Sequence, residues 1–240
     1  AHHSDGVMLA AEQLGRPFFG AYSGSCPTLP VAMISEAGVH EMEERDADAR
    51  CLPWLEFIST ELKSAPAGTV VFSISPSYWN SRYVGVRTTL GSDATNQKVV
   101  LESALGAQVE VLLRLGHDVV LVSPFIWPQF ECRETFAAKV LGDDCHASLN
   151  ATPQWNIDAV ESMRSVAITS GAKFVDLTEV QCPDGYCSNS SQGINPYSLG
   201  YSHLSAEFGA LTEPHFSRHL RAKGGVSSNG NYHSTEQKDP

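Results

Sequence analysis

The chain has 240 residues, 42% of them hydrophobic, and a formal net charge of −11 from 27 Asp+Glu against 16 Lys+Arg. That apolar share is enough for a core and excludes a disordered chain. The acidic balance argues against nucleic acid or an anionic membrane surface as the main partner, and the longest apolar runs, such as Asp118 to Ser123, are too short to span a bilayer.

In chain order, Ser4 to Leu14 reads as a helix, with Ser4 or Asp5 as N-cap and Gly15 as stop. Pro17 to Ser23 reads as a strand. A loop with Cys26-Pro27 follows, then an acidic stretch from Glu41 to Asp48 leading into a helix that carries Trp54, Leu55 and Ile58 and ends before Pro66. Thr69 to Ile74 is a buried strand. From Ala94 to Leu115, Leu101, Leu105, Leu112 and Leu115 recur at helical spacing, closed by Gly116. The helix feeds Asp118 to Ser123, whose unbroken Val/Leu run suits a parallel strand covered on both faces. After a long loop, Asn156 to Ser170 is a helix stopped by Gly171, and Lys173 to Leu177 is the last strand. Leu204 to Leu220 is a terminal helix that Pro214 kinks or splits. Residues 1–222 therefore form one domain, and 223–240, rich in Gly, Ser, Asn and charge, read as a disordered tail.

Repeated strand–helix–strand units need right-handed crossovers. They predict an α/β fold, a three-layer αβα sandwich with a parallel, flavodoxin-like sheet. Ligands in such folds sit at the carboxyl ends of strands. Here that means the loops after Ser23, Ile74, Ser123 and Leu177.

Six cysteines fall in three sequence-adjacent couples, Cys26 with Cys51, Cys132 with Cys145 and Cys182 with Cys187. This pairing is read from proximity alone. No couple has Cys-x-x-Cys spacing, which favours structural cystines in an oxidising compartment over a metal or redox site. His215 and His219, four apart, have zinc spacing but lack a third ligand in sequence view and read as a solvated face. No metal or organic cofactor is expected.

The segment with most chemical content is Tyr197-Ser-Leu-Gly-Tyr-Ser-His-Leu-Ser-Ala-Glu-Phe-Gly209. It sets His203 just before a helix and after the last strand, a place suited to a general base. A capping or surface histidine is the plainer alternative. This block resembles the last one of the SGNH hydrolases, in particular the extracytoplasmic SGNH domain fused to membrane O-acyltransferases. Ser23-Gly-Ser-Cys-Pro-Thr-Leu29, Val99 to Pro124 and Leu177 to Cys187 resemble further segments of that family in the same order.

The resemblance implies acyl transfer or ester hydrolysis on acylated surface polysaccharide, with His203 as catalytic base. It also implies an extracytoplasmic location and an integral-membrane acyltransferase domain in the parent protein. Asn80, in Ser75-Pro-Ser-Tyr-Trp-Asn-Ser-Arg82, falls where the SGNH fold places an oxyanion donor, with Tyr78 and Trp79 as substrate-facing candidates. Two departures stand out. The family's Gly-Asp-Ser-His nucleophile turn would precede Ala1, so the polypeptide as given is expected to be a fragment with little or no activity. The acid three residues before the histidine is Gly200 here. Ser25 lacks the strand–turn–helix setting that exposes a nucleophile, and Ser4 reads as the cap of the first helix. A catalytically impaired glycan-binding or scaffold domain is the alternative function.

Overall fold

A computed structural model describes residues 3–21, 26, 29, 31–34, 44–79, 85–88, 97–127, 146–188, 194, 196–198 and 203–221. Their helices are α1 (Ser4–Gln13), α2 (Glu44–Ser64), α3 (Gln97–Arg114), α4 (Gln154–Ser170), α5 (Thr178–Gln181), α6 (Ala206–Leu211) and α7 (Glu213–Leu220). The strands are β1 (Val31–Ile34), β2 (Thr69–Phe72), β3 (Gly85–Thr88), β4 (Asp118–Val122), β5 (His146–Ser148), β6 (Lys173–Val175), β7 (Tyr186–Ser188), β8 (Tyr197–Ser198) and β9 (His203–Leu204). The expected tail at 223–240, Asn80, Gly200 and the Cys132/Cys145 couple lie outside the described residues.

The central sheet is parallel, in the order β2-β4-β6. It confirms the α/β class, with three strands among the described residues. Alternation along β4 sorts its side chains: Val119 and Leu121 join the cluster built by Leu101, Leu105, Val109 and Leu112 of α3 and Ala159, Met163 and Val166 of α4. Val120 and Val122 join Val7 and Ala10 of α1 and Phe216 and Leu220 of α7. A strand covered on both faces has no polar side to show, which explains its continuous apolar run. Each such Val or Leu contributes about 1.5–3 kcal/mol by leaving water. Gly116 and Gly171 end α3 and α4 at φ +86° and +77°, a region that side chains with a Cβ disfavour.

The expected strand at Pro17 to Ser23 is not formed in its described part, 17–21. Proline offers no N–H to a ladder, and no strand neighbours β2 on its far side among the described residues. β1 and β3 instead pair antiparallel, Val31 opposite Thr88. The terminal helix is split as Pro214 suggested: α6 ends at Leu211 and Pro214 sits in the first turn of α7, where its missing N–H costs nothing.

At the amino ends of the strands, buried His117 accepts the Gly68 N–H at Nδ1 (3.2 Å) and donates from Nε2 to the Leu62 carbonyl (3.0 Å). The last carbonyls of α7 are capped from afar, His219 by Lys173 Nζ (3.3 Å) and Leu220 by the Arg16 guanidinium, which also reaches Thr69 Oγ1 (3.4 Å). Cations at a helix carboxyl end satisfy orphan carbonyls and oppose the helix dipole. Arg16 thereby fixes the end of α1 beside the start of β2, so α1 runs from the carboxyl end of the sheet to its amino end. Disulfides Cys26–Cys51 and Cys182–Cys187 are formed, as proximity suggested.

α1 approaches the end of α6 closely at Gly6. A Cβ on Gly6 would stand 2.1 Å from Thr212 Oγ1 and 2.7 Å from the Gly209 carbonyl. Gly6→Ala is therefore expected to destabilise the domain by more than about 2 kcal/mol, read as a fall in the urea midpoint, because the backbone on the far side cannot yield. An unchanged midpoint would contradict this packing.

Candidate active site at the carboxyl ends of the strands

Three segments leave the sheet at one end: 73–79 after β2, 123–127 after β4 and 176–181 after β6. An extended segment beyond its strand has backbone donors and acceptors without a ladder, and buried ones must be satisfied. Here side chains do it. Ser123 continues the β4–β6 pairing, its N–H donating to the Val175 carbonyl (2.9 Å) and its Oγ accepting the Leu177 N–H (2.8 Å). The Gln181 amide accepts the Ile126 N–H at Oε1 (2.9 Å) and donates to the Ile126 carbonyl from Nε2 (2.6 Å). Asn156 does the same to Trp127, accepting its N–H (3.0 Å) and donating to its carbonyl (3.2 Å). Each planar amide thus supplies a one-residue imitation of a neighbouring strand. Gln181 is itself held by the Cys182–Cys187 bridge beside it, whose sulfurs are buried with Ile126 and Val160.

The turn after β2 is anchored differently. Trp79 donates its indole N–H to Ser162 Oγ (3.1 Å), and Ser162 donates to Glu102 Oε1 (2.7 Å), linking the turn to α4 and α3. Tyr78 and Trp79 are each 7% exposed and belong to the main hydrophobic cluster. Their bulk and apolar area thus contribute to the core. Asn80 follows Trp79 in sequence and lies outside the described residues.

His203 lies in β9, whose backbone pairs with Ser198 of β8, and Ser205 N–H donates to the Pro196 carbonyl (2.9 Å). Ser205 caps α6, accepting the Phe208 N–H at 3.1 Å. On either side of this cap, Leu204 and Phe208 bury against Phe125, which follows β4, and Val180, which follows β6. The His203 segment is therefore seated at the carboxyl end of the sheet. The start of α1 reaches the same place, since a Cβ on Gly209 would meet Asp5 at 3.1 Å. Asp5 is thus a carboxylate brought near the histidine block by folding, although 198 positions separate it from His203 in the chain.

His215 and His219 sit on α7, away from these segments. Among the described residues no group of three potential ligands is placed to hold a metal ion. Sequence reasoning passed over Asn156, Ser162 and Gln181, and took Ser123 as a strand end and Asp5 as a helix cap without a part in the site. Only Ser123, ending an apolar strand, carried a visible signal; the others look like ordinary polar positions of helices.

A family model for the SGNH domain (fused to AT3 domains) matches residues 1–218. The chain therefore belongs to this family of SGNH domains. Membership sets it among proteins of acyltransferase- or esterase-related function, and the match covers all the elements placed above except the last residues of α7. Searches of curated proteins and of solved structures find no significant match.

Gln181→Leu removes both partners of a buried backbone unit. It is expected to cost about 3 kcal/mol, with the Ile126 amide losing its hydrogen-exchange protection; an equally protected amide would show that the clamp is dispensable. A second expectation concerns His219. Burial, reinforced by Lys173, Arg218 and His215, lowers its imidazole below the ordinary value of 6.5. The unfolded chain then binds that proton more readily than the folded one, so stability is full above pH 6.5 and declines as pH falls through it. In His219→Gln the urea midpoint should lose this part of its acid slope.

Proposed function

We propose that this domain transfers or hydrolyses acyl groups, acetyl above all, on esters of a surface polysaccharide, with His203 as general base. The observation that carries the reading is the seating of the His203 segment. Leu204 and Phe208 are buried on the residues that follow β4 and β6, at the end of an α/β sheet where loops converge on ligands. The family's association with AT3 domains supports an acyl donor handed over by a membrane acyltransferase domain, in a three-layer SGNH sandwich on the extracytoplasmic side. The two cystines favour the same oxidising compartment.

In this reading an acyl carbonyl is attacked by a serine hydroxyl whose proton passes to His203. The imidazole gives that proton to the leaving oxygen as the acyl group passes to the serine; it then takes a proton from the accepting sugar hydroxyl or a water, which attacks the acyl-serine, and returns it to the serine oxygen. Asn80, next to the anchored turn at 76–79, donates to the oxyanion. Since position 200 is glycine, Asp5, which folding brings against Gly209 of the histidine block, is assigned in this reading to stabilise the imidazolium. No organic cofactor enters this scheme.

The alternative, a glycan-binding or scaffold domain without turnover, rests on Gly200 standing where the family carries its acid. The two readings separate in one experiment. In the full natural protein, His203→Ala should reduce p-nitrophenyl acetate turnover by about 10²–10⁴-fold in kcat with little change in KM. Equal turnover by the natural protein and its His203→Ala variant would refute the catalytic role.

A further inference from the structure

The opposite pole of the molecule carries a feature that acyl transfer does not use. Between α1 and α7 lies an open groove of 330 Å³ lined by Gln13, Glu213, Pro214, Ser217, Arg218 and Arg221. In a chain of net charge −11, positive groups gather here. Arg16 and Lys173 sit on the last carbonyls of α7, and His215 and His219 lie on the same helix. Asp118 neutralises only Lys173, at 3.5 Å. The guanidiniums of Arg218 and Arg221 make no ion pair among the described residues. The groove's one carboxylate, Glu213, accepts the Ser217 hydroxyl and stands at the start of α7, five residues or about 7.5 Å along the helix before Arg218. The two arginines therefore stand toward the carboxyl end of the groove and the carboxylate toward its other end. His219 reports the same local field, its charged form disfavoured first by burial and then by Lys173 and Arg218.

We propose that the carboxyl end of the α1/α7 groove binds a phosphate-class oxyanion, free or carried on a lipid headgroup, through Arg218 and Arg221 with the Gln13 amide as third donor. Two guanidinium forks match the oxygens of a tetrahedral anion, and an arginine holds such a group in two parallel hydrogen bonds where a lysine would offer a point charge. The site lies at the amino end of the strands, away from His203, so its occupancy and acyl transfer are independent observables.

The test titrates the 240-residue protein with inorganic phosphate against sodium chloride at equal ionic strength, following heat and the Nε–H resonances of Arg218 and Arg221. Saturable binding should weaken about tenfold or more in Arg218→Gln/Arg221→Gln and persist in Arg114→Gln, an exposed arginine on α3. Both variants should melt like wild type, because the substituted side chains are on the surface. Sedimentation with phosphatidate vesicles against pure phosphatidylcholine separates the sources: retention by phosphatidate alone assigns a headgroup, and phosphate binding without retention assigns a free anion. Absence of both, or binding that survives in the double variant, overturns the proposal.

Discussion

Strand β4 has no solvated face beyond its first residue, and the rest of the domain is arranged by that fact. Val119 to Val122 are at most 2% exposed, with alternate side chains committed to opposite helix pairs. A strand in this position must be flanked on both edges and covered on both sides. β2 and β6 take the edges, α3 and α4 one face, α1 and α7 the other. Shifting its register by one residue would exchange the two sets of side chains and spoil both clusters together. The parallel registers thereby bring the carboxyl ends of the three strands to the same side of the sheet.

That side is completed by polar groups whose value lies in geometry. Asn156 and Gln181 each carry a donor and an acceptor in one rigid plane, the same pair that a peptide unit would offer. They let the chain leave the sheet after β4 without abandoning its hydrogen bonds. A buried peptide left without partners costs about as much as these amides contribute, so residues 123–127 have little freedom to drift. The His203 segment is held by other means, a two-residue ladder, a serine cap and two apolar anchors. Site residues placed on such supports can meet a substrate without first being ordered by it.

Much of the architecture is legible in the sequence because it depends on local patterns. The Leu spacing of α3, the Val/Leu run of β4, the glycine stops and the break at Pro214 all report physics acting over a few residues. The family block around His203 was legible for the same reason, being contiguous. What escaped depends on partners distant in the chain. Residues 17–21 look strand-like, but a strand is a relation with a neighbour and no propensity supplies one. Tyr78 and Trp79 read as loop aromatics because nothing local shows the pocket that α3 and α4 make for them. Asn156 and Gln181 are indistinguishable from solvated amides until the chain folds over them, and Asp5 reaches the histidine block only across the Gly6–Gly209 contact.

The bond from Arg16 to the Leu220 carbonyl joins groups 204 positions apart, and the apolar stripe of α1 rests on the same late helix. On a ribosome the first helix emerges long before its partner exists, and at roughly 5–20 residues per second it waits on the order of ten seconds or more. Closure of this pair waits for α7 and loops all the residues between the two helices. Until then the apolar stripe of α1 has no partner within the domain, a period in which a chaperone has something to hold.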